Sequence, residues 1–203
     1  MMTKIKDIVF ATRNAGKIRE VKKFFANSIF GILSLDEAGI DIHVIEDGAT
    51  FEENAAKKAR EICRKCEKIV LADDSGLMID ALDGAPGVDS ANFLGADTPY
   101  AQRNAKILEM LANVPEDARA ARFVCVIAIA RPGQDIILQR TELHGQIAYA
   151  VTGQGGFGYD PIFFLPKYGI TMAQMDVAQK NEISHRGQAL RLVRSKLEEV
   201  EKL

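Results

Sequence analysis

Thr12-Arg13-Asn14-Ala15-Gly16-Lys17 follows a short apolar run and opens a helical pattern. A strand that turns straight into a helix offers backbone N–H groups and the positive end of a helix dipole, a natural anion site. Thr12 and Asn14 add side-chain donors, Gly16 allows close backbone approach, and Lys17 supplies charge. The same residues also read as a plain helix cap, with Asn14 at the N-cap and Lys17 solvated. A P-loop is excluded, because its glycine-bounded loop before the lysine is longer. A second cluster, Asp73-Asp74-Ser75-Gly76, ends the apolar run Ile69–Ala72. Carboxylates at the carboxyl end of a buried strand stand where α/β sheets place their sites. Mg2+ favours one or two carboxylates together with water and phosphate oxygens. Asp, Ser and Gly are equally the residues of a strand-ending turn.

Two further clusters carry cations and aromatics. On the helix expected from Thr50, the inward stripe runs Phe51, Ala55, Ile62 and Cys66, with Lys58 in line and Asn54 at its edge. A lysine so placed either snorkels to solvent or reaches into a cleft. Gly153–Phe164 combines four glycines with Phe157, Tyr159, Phe163 and Phe164, close backbone approach beside a stacking platform. The alternative there is a glycine-rich turn with core aromatics. Lys180, His185 and Arg186 then precede the last helix, where their donors suit a carbonyl edge or an anion. Lys17, Lys58 and Lys180 point to a polyanion that Asp73 and Asp74 would repel. A divalent cation between carboxylates and phosphates reconciles them, so a nucleoside polyphosphate with Mg2+ is the economical ligand.

The elements that must position these residues alternate. Asp7–Thr12 reads as a strand, followed by a helix with Ile18, Val21, Phe24 and Phe25 on one face. Asp41–Glu46 is a weaker strand, and Thr50 with Glu53 forms a capping box for a helix to about Lys65. Lys68–Asp73 is a buried strand. Thr98 and Pro99 start a helix with a stripe of Ala101, Ala105, Leu108 and Leu111. Strands follow over Arg122–Ala130, Asp135–Leu143 and Gln146–Val151. A helix from about Gln188 aligns Leu190, Val193, Leu197 and Val200. The pattern is α/β, with a long mixed sheet.

The 203 residues are 47% hydrophobic and 27% charged, with a net charge of −2, an ordinary globular balance without a duplex-binding footprint. No apolar run approaches the about 20 residues of a membrane span, and the first residues lack a signal-peptide pattern, so a cytoplasmic address is expected. Cys63, Cys66 and Cys125 make no disulfide framework. No second pair or nearby histidine completes a metal site around Cys63 and Cys66, which read as structural.

The segments ATRNAGKIRE, TFEENAAKKAR, LADDSGL, GAPG, GGFGYDPIFF and ISHRGQAL, in this order from about residue 5 to 200, resemble the inosine triphosphate pyrophosphatase (Ham1-like) family. The resemblance implies one domain over 1–203, an elongated mixed sheet flanked by helices, two lobes around a central substrate cleft, and a homodimer. It implies that Thr12–Lys17 binds the triphosphate with Lys58, and that Asp74 is catalytic and a magnesium ligand, with Asp73 and Glu46 as further ligands. It implies that Ser75 touches substrate and that Phe157, Gly158, Tyr159 and Asp160 hold base and sugar. Lys180, His185 and Arg186 complete the pocket. Arg13, inside the phosphate loop, fills a position the family leaves variable, and Asn92 stands where the family usually has arginine. The implied reaction cleaves ITP, dITP or XTP to the monophosphate and pyrophosphate. Neither nucleic acid nor membrane is an expected partner. A Maf-type pyrophosphatase, not expected to carry ISHRG, and a nucleotide sensor without turnover are the rival readings.

Overall fold

Lys6–Phe10 (β1) buries its last three side chains completely, as a strand inside an α/β sheet should. The computed structural model describes residues 6–200, the side chain of Val200 excepted. Helix α1 (Ala15–Phe25) follows, then β2 (Phe30–Ser34), α2 (Phe51–Cys66), β3 (Val70–Ile79), α3 (Tyr100–Met110), β4 (Ala120–Ala130) and β5 (Ile137–Ile147). The chain continues through β6 (Phe163–Leu165), β7 (Ile170–Thr171), α4 (Val177–Ile183) and α5 (His185–Val200). The strands hydrogen-bond in the order β2-β1-β3-β4-β5-β6-β7. β1 runs parallel to β2 and β3, whereas β6 is antiparallel to β5 and β7, so the sheet is mixed as expected.

Contacts group the chain into two compact units. Unit 1 comprises Met1–Asp74, Cys125–Thr141 and Arg186–Leu203; unit 2 comprises Ser75–Val124 and Glu142–His185. The core of unit 1 packs Val21 and Phe25 of α1 and Leu190, Val193 and Leu197 of α5 against Ile8, Phe10, Leu71 and Ile127. Ile18 and Phe24, expected on the same α1 face, are partly buried beside them. The expected part of Val200 in α5 lies outside the described residues. The core of unit 2 packs Leu77, Ile79, Ile107, Leu111, Tyr159 and Phe163.

Several expectations fail for identifiable reasons. Asp41–Glu46 alternates like a strand but is irregular, because β2 already occupies the edge beside β1, in register from Lys6 with Phe30 to Phe10 with Ser34. The last expected strand stops at Ile147; Ala148 then donates its N–H to Ile162 O, 2.8 Å away. In α3 the inward residues are Arg103, Asn104 and Ile107, while Ala101 and Ala105 are exposed. Pro99, not Thr98, is its N-cap. In α2 the capping box is present, but Asn54, Ala59 and Cys63 are buried in addition to the expected Phe51, Ala55 and Ile62, and Cys66 is only half-buried. Helix α4 was not anticipated, although Asp176 and Gln179 form a capping box. Helix α5 begins three residues before the expected Gln188.

Two buried arginines in unit 2 reverse the rule that charge faces water. Arg103 donates to the carbonyls of Ser90 (3.3 Å), Ala91 (2.6 Å), Gly95 (3.0 Å) and Ala96 (3.1 Å), holding the loop that contains exposed Asn92. Arg119 donates to Leu111 O (2.6 Å), Val114 O (3.3 Å), Ile147 O (2.8 Å) and Ala148 O (2.8 Å). Each guanidinium thus supplies donors where chain ends would otherwise strand buried carbonyls. Arg119→Met is expected to destabilise the fold by about 3 kcal/mol or more, because the orphaned carbonyls bear the desolvation cost. Urea unfolding checks this, and an unchanged midpoint would refute it.

Candidate functional site

In unit 1, Asn14 closes the first turn of α1. Its Oδ1 accepts from Gly16 N (2.9 Å) and Lys17 N (3.1 Å), and its own N–H donates to Thr12 Oγ1 (3.2 Å). The helix cap is therefore real, and it occupies N–H groups that a bare anion site would present. Lys17 is not solvated as a plain cap would leave it. Its side chain is only 16% exposed, and Nζ pairs with Asp73 Oδ1. Arg13 turns elsewhere, donating to Asp36 and Asp41 at 2.8 Å each, on the surface.

Asp73 and Asp74 do not lie on a turn. β3 runs straight through Asp73-Asp74-Ser75-Gly76 to Ile79, so consecutive side chains leave opposite faces. Sheet pairing overrides the turn propensity of Asp, Ser and Gly, and the two aspartates acquire different tasks. Asp73 is fully buried, with Lys17 at Oδ1 and both Arg186 Nε (2.9 Å) and Cys125 Sγ (3.3 Å) at Oδ2. Arg186 continues the chain, donating Nη1 to Glu20 Oε2 at 2.6 Å. Burial alone would raise the Asp73 pKa, but the Arg186 and Lys17 charges outweigh it and hold the carboxyl well below its usual range. Burial likewise works against the Lys17 charge, and the Asp73 carboxylate overcomes it, raising that pKa. Asp73 thus has both oxygens inside an ion network, and of the expected aspartate pair Asp74 is the one with an unpartnered oxygen among the described residues. Arg186 is also held within that network.

Asp74 is the contrasting carboxylate. It is 7% exposed, and its buried Oδ2 has no hydrogen-bond partner among the described residues. Burial pushes its pKa up to about 6, with Lys17 and Lys58 pulling down and Glu46 and Asp73 pushing up. Lys58, 11% exposed, pairs with Glu46 at 2.7 Å. Thr12, Arg13, His43, Glu46 and Lys58 share the lining of a cavity of about 190 Å3.

In unit 2 the aromatic glycine loop is held from within. Lys180 Nζ lies 2.7 Å from Asp160 Oδ2, which also accepts from Phe157 N at 2.7 Å. Gly156 has φ +69°, and a Cβ there would run into the Asp160 carboxylate. Lys180 stands 4.5 Å from the centre of the Phe157 ring, which is half-buried. Tyr159 is interior: its hydroxyl donates to Ser90 O at 2.8 Å, and burial raises its pKa. His185 is buried and stacks on Phe123, with centroids 4.7 Å apart. Ser75 is half-buried on β3, and Gly158 is half-buried with its carbonyl accepting from Asn104 Nδ2 at 3.1 Å.

Sequence reasoning missed Glu20, Cys125, His43 and Asn104. Glu20 had a readable signal, standing one turn after Lys17 on the same face of α1. Asn54 was placed only at the stripe's edge, yet it is buried and accepts from Gly48 N at 2.7 Å.

Residues 8–196 match the sequence profile of the Ham1 family. The chain belongs to the Ham1 family. It is 45% identical over 199 residues to a protein of Clostridium perfringens named dITP/XTP pyrophosphatase, covering 95% of this chain and 98% of that one. The Staphylococcus aureus Ham1 protein superposes with a TM-score of 0.85 at 40% identity, covering 95% of this chain and 98% of its own. A HAM1 protein from Coxiella burnetii gives 0.86 at 38% identity, over 96% and 99%. Among the described residues of this Ham1 member no helix is long and apolar enough to cross a membrane.

Nucleotide pyrophosphatases generally use a divalent metal. The chain's donors fit one modestly: among the described residues no three of His, Cys, Asp and Glu cluster as a ready cage. The unpartnered Asp74 Oδ2 and nearby Glu46 do suit a hard cation that takes most of its ligands from water and phosphate.

Because the folded pKa of Asp74 exceeds its unfolded value near 3.9, the folded state binds this proton more tightly. Its contribution is fully present below about pH 4 and is lost as pH rises through about 6. In chelator-treated protein, Asp74→Asn should raise stability at neutral pH by an amount on the order of 2 kcal/mol, and the gain should vanish towards pH 4. Thermal melts across that range check it; a gain independent of pH would contradict the assignment.

Proposed function

We propose that the chain hydrolyses the α–β phosphoanhydride of non-standard purine nucleoside triphosphates (ITP, dITP and XTP), giving the nucleoside monophosphate and pyrophosphate. The observation that carries this reading is the division of labour between neighbouring aspartates: Asp73 is held as an anion, while Asp74 is buried with an unpartnered oxygen and a pKa pushed up to about 6. A group poised in this way suits general-base chemistry.

Each lysine assigned to phosphate is already matched to a carboxylate, Lys17 to Asp73 and Lys58 to Glu46. Lys17 and Lys58, with Thr12 and the α1 start, bind the phosphate chain and stabilise the charge that develops on departing pyrophosphate. Asp74 and Glu46 hold Mg2+, which when bound neutralises phosphate oxygens and acidifies water. Asp74 takes the proton of the attacking water, the water oxygen bonds to phosphorus, and the α–β bridging oxygen leaves with pyrophosphate. Phe157 offers its half-exposed ring to the base, in a loop fixed by Asp160 and Lys180. Donors aimed at a 6-keto group would be left unpaired by a 6-amino group, a discrimination of about 1–3 kcal/mol per donor. Such an enzyme would clear deaminated purines from the nucleotide pool.

With Mg2+, ITP, dITP and XTP should be cleaved far faster than ATP or UTP, with pyrophosphate as the released anion. Release of orthophosphate would overturn the mechanism, and absence of turnover would favour a sensor. Asp74→Asn should lower kcat at least about 100-fold with the fold intact, in the range of a lost general base. A fully active variant would remove Asp74 from that role. The homodimer belongs to the same proposal; sedimentation should find twice the 22.3 kDa chain mass, and a monomer would reject it.

A further inference from the structure

A cavity of about 540 Å3 in unit 1, outside the site above, is walled by the second half of α2 and the turn joining β4 to β5. From α2 come Arg60, Cys63 and Arg64, with Glu67 at its C-cap, and from the turn come Arg131 and Asp135. Residues 60, 63 and 64 form one stripe of the helix. Lys58 and Ile62, which line the 190 Å3 cavity, lie on a different face, because a two-residue step rotates about 200° around the axis. The two cavities share no lining residue, so α2 presents one to each side.

The guanidiniums of this second cavity are unspent. Elsewhere in unit 1 the guanidiniums of Arg13, Arg140 and Arg186 are paired with carboxylates. Arg60, Arg64 and Arg131 form no ion pair among the described residues, even though Glu67 and Asp135 line the same space. The buried Nε of Arg131 has no hydrogen-bond partner among those residues. A buried donor without an acceptor carries a desolvation cost that a ligand oxygen would relieve. Arg64 alone can be explained as a cation near the carboxyl end of α2, complementing the helix dipole. That account covers neither Arg60 nor the donor of Arg131.

We propose that this cavity is a second, non-catalytic oxyanion site, in which Arg60, Arg64 and Arg131 bind a phosphate or pyrophosphate group. Three guanidinium forks against two carboxylates leave one positive charge, and planar forks match phosphate oxygens in paired hydrogen bonds. The group can arrive as free pyrophosphate or as the phosphate of a nucleotide. The site does not depend on the reaction proposed above.

Calorimetric titration of chelator-treated protein with sodium pyrophosphate tests it. Arg60→Gln/Arg64→Gln changes only exposed helix positions, and circular dichroism confirms that the variant folds. Relative to wild type it should bind one pyrophosphate fewer per chain, or bind it at least about tenfold more weakly, with kcat on ITP unchanged. Lys58→Gln should retain that binding event. A parallel titration with inosine monophosphate distinguishes the sources: tighter binding of the monophosphate at the arginine site marks a nucleotide, and tighter pyrophosphate binding marks a free oxyanion. Identical stoichiometry and affinity in wild type and the arginine variant, for both probes, would overturn the site whatever the chain hydrolyses.

Discussion

The buried carboxylate of Asp73 is the constraint on which unit 1 is organised. It accepts from Lys17 of α1, Arg186 of α5 and Cys125 of β4, and Arg186 reaches on to Glu20 of α1. One strand residue therefore fixes two helices against the sheet through charges that water cannot screen. Burying so many ions is costly, and the network is tolerable because both Asp73 oxygens, Glu20 Oε2 and the Nε and Nη1 of Arg186 find partners. The apolar packing of Val21, Phe25, Leu190 and Val193 supplies the driving force. The ion network supplies the register, since sliding either helix by one turn would strand a charge.

The same economy extends to the proposed chemistry. With Lys17 on Asp73 and Lys58 on Glu46, opposite charges are stored beside one another. A phosphate chain arriving with a divalent cation brings an equally balanced set. Lysines can turn to phosphate and Glu46 to the cation without unbalanced charge accumulating in a poorly solvated region. Asp74 lies outside these pairings, and its raised pKa follows from burial without a dedicated cation. Activation and anchoring thus fall to adjacent residues because their surroundings differ, not their chemistry.

Local rules carried much of this from the sequence. The caps of α1 and α2 were readable because Asn14, Thr50 and Glu53 act on backbone a few residues away. The strand through Val70–Ala72 and the apolar stripe of α5 were readable from periodicity. What was hidden depends on partners distant in sequence. Asp73 and Asp74 read as a turn because only pairing with neighbouring strands keeps Ser75 and Gly76 extended. Arg103 lies off the expected α3 stripe of Ala101, Ala105, Leu108 and Leu111, yet the carbonyls of the Ser90–Ala96 loop draw it inward. Lys180 read as one of three cations suited to a polyanion, and its ion pair with Asp160 was hidden by their separation in sequence.

The uninterrupted course of β3 also limits how this chain can change. Because side chains alternate along a strand, one residue inserted or deleted between Val70 and Asp73 would exchange the faces of Asp73 and Asp74. The Asp73 carboxylate would lose its cations, and that of Asp74 would be thrust among them. Length variation should therefore collect in the irregular stretch before α2 or the turn between β4 and β5. β3 itself behaves as a fixed ruler whose unit is one residue.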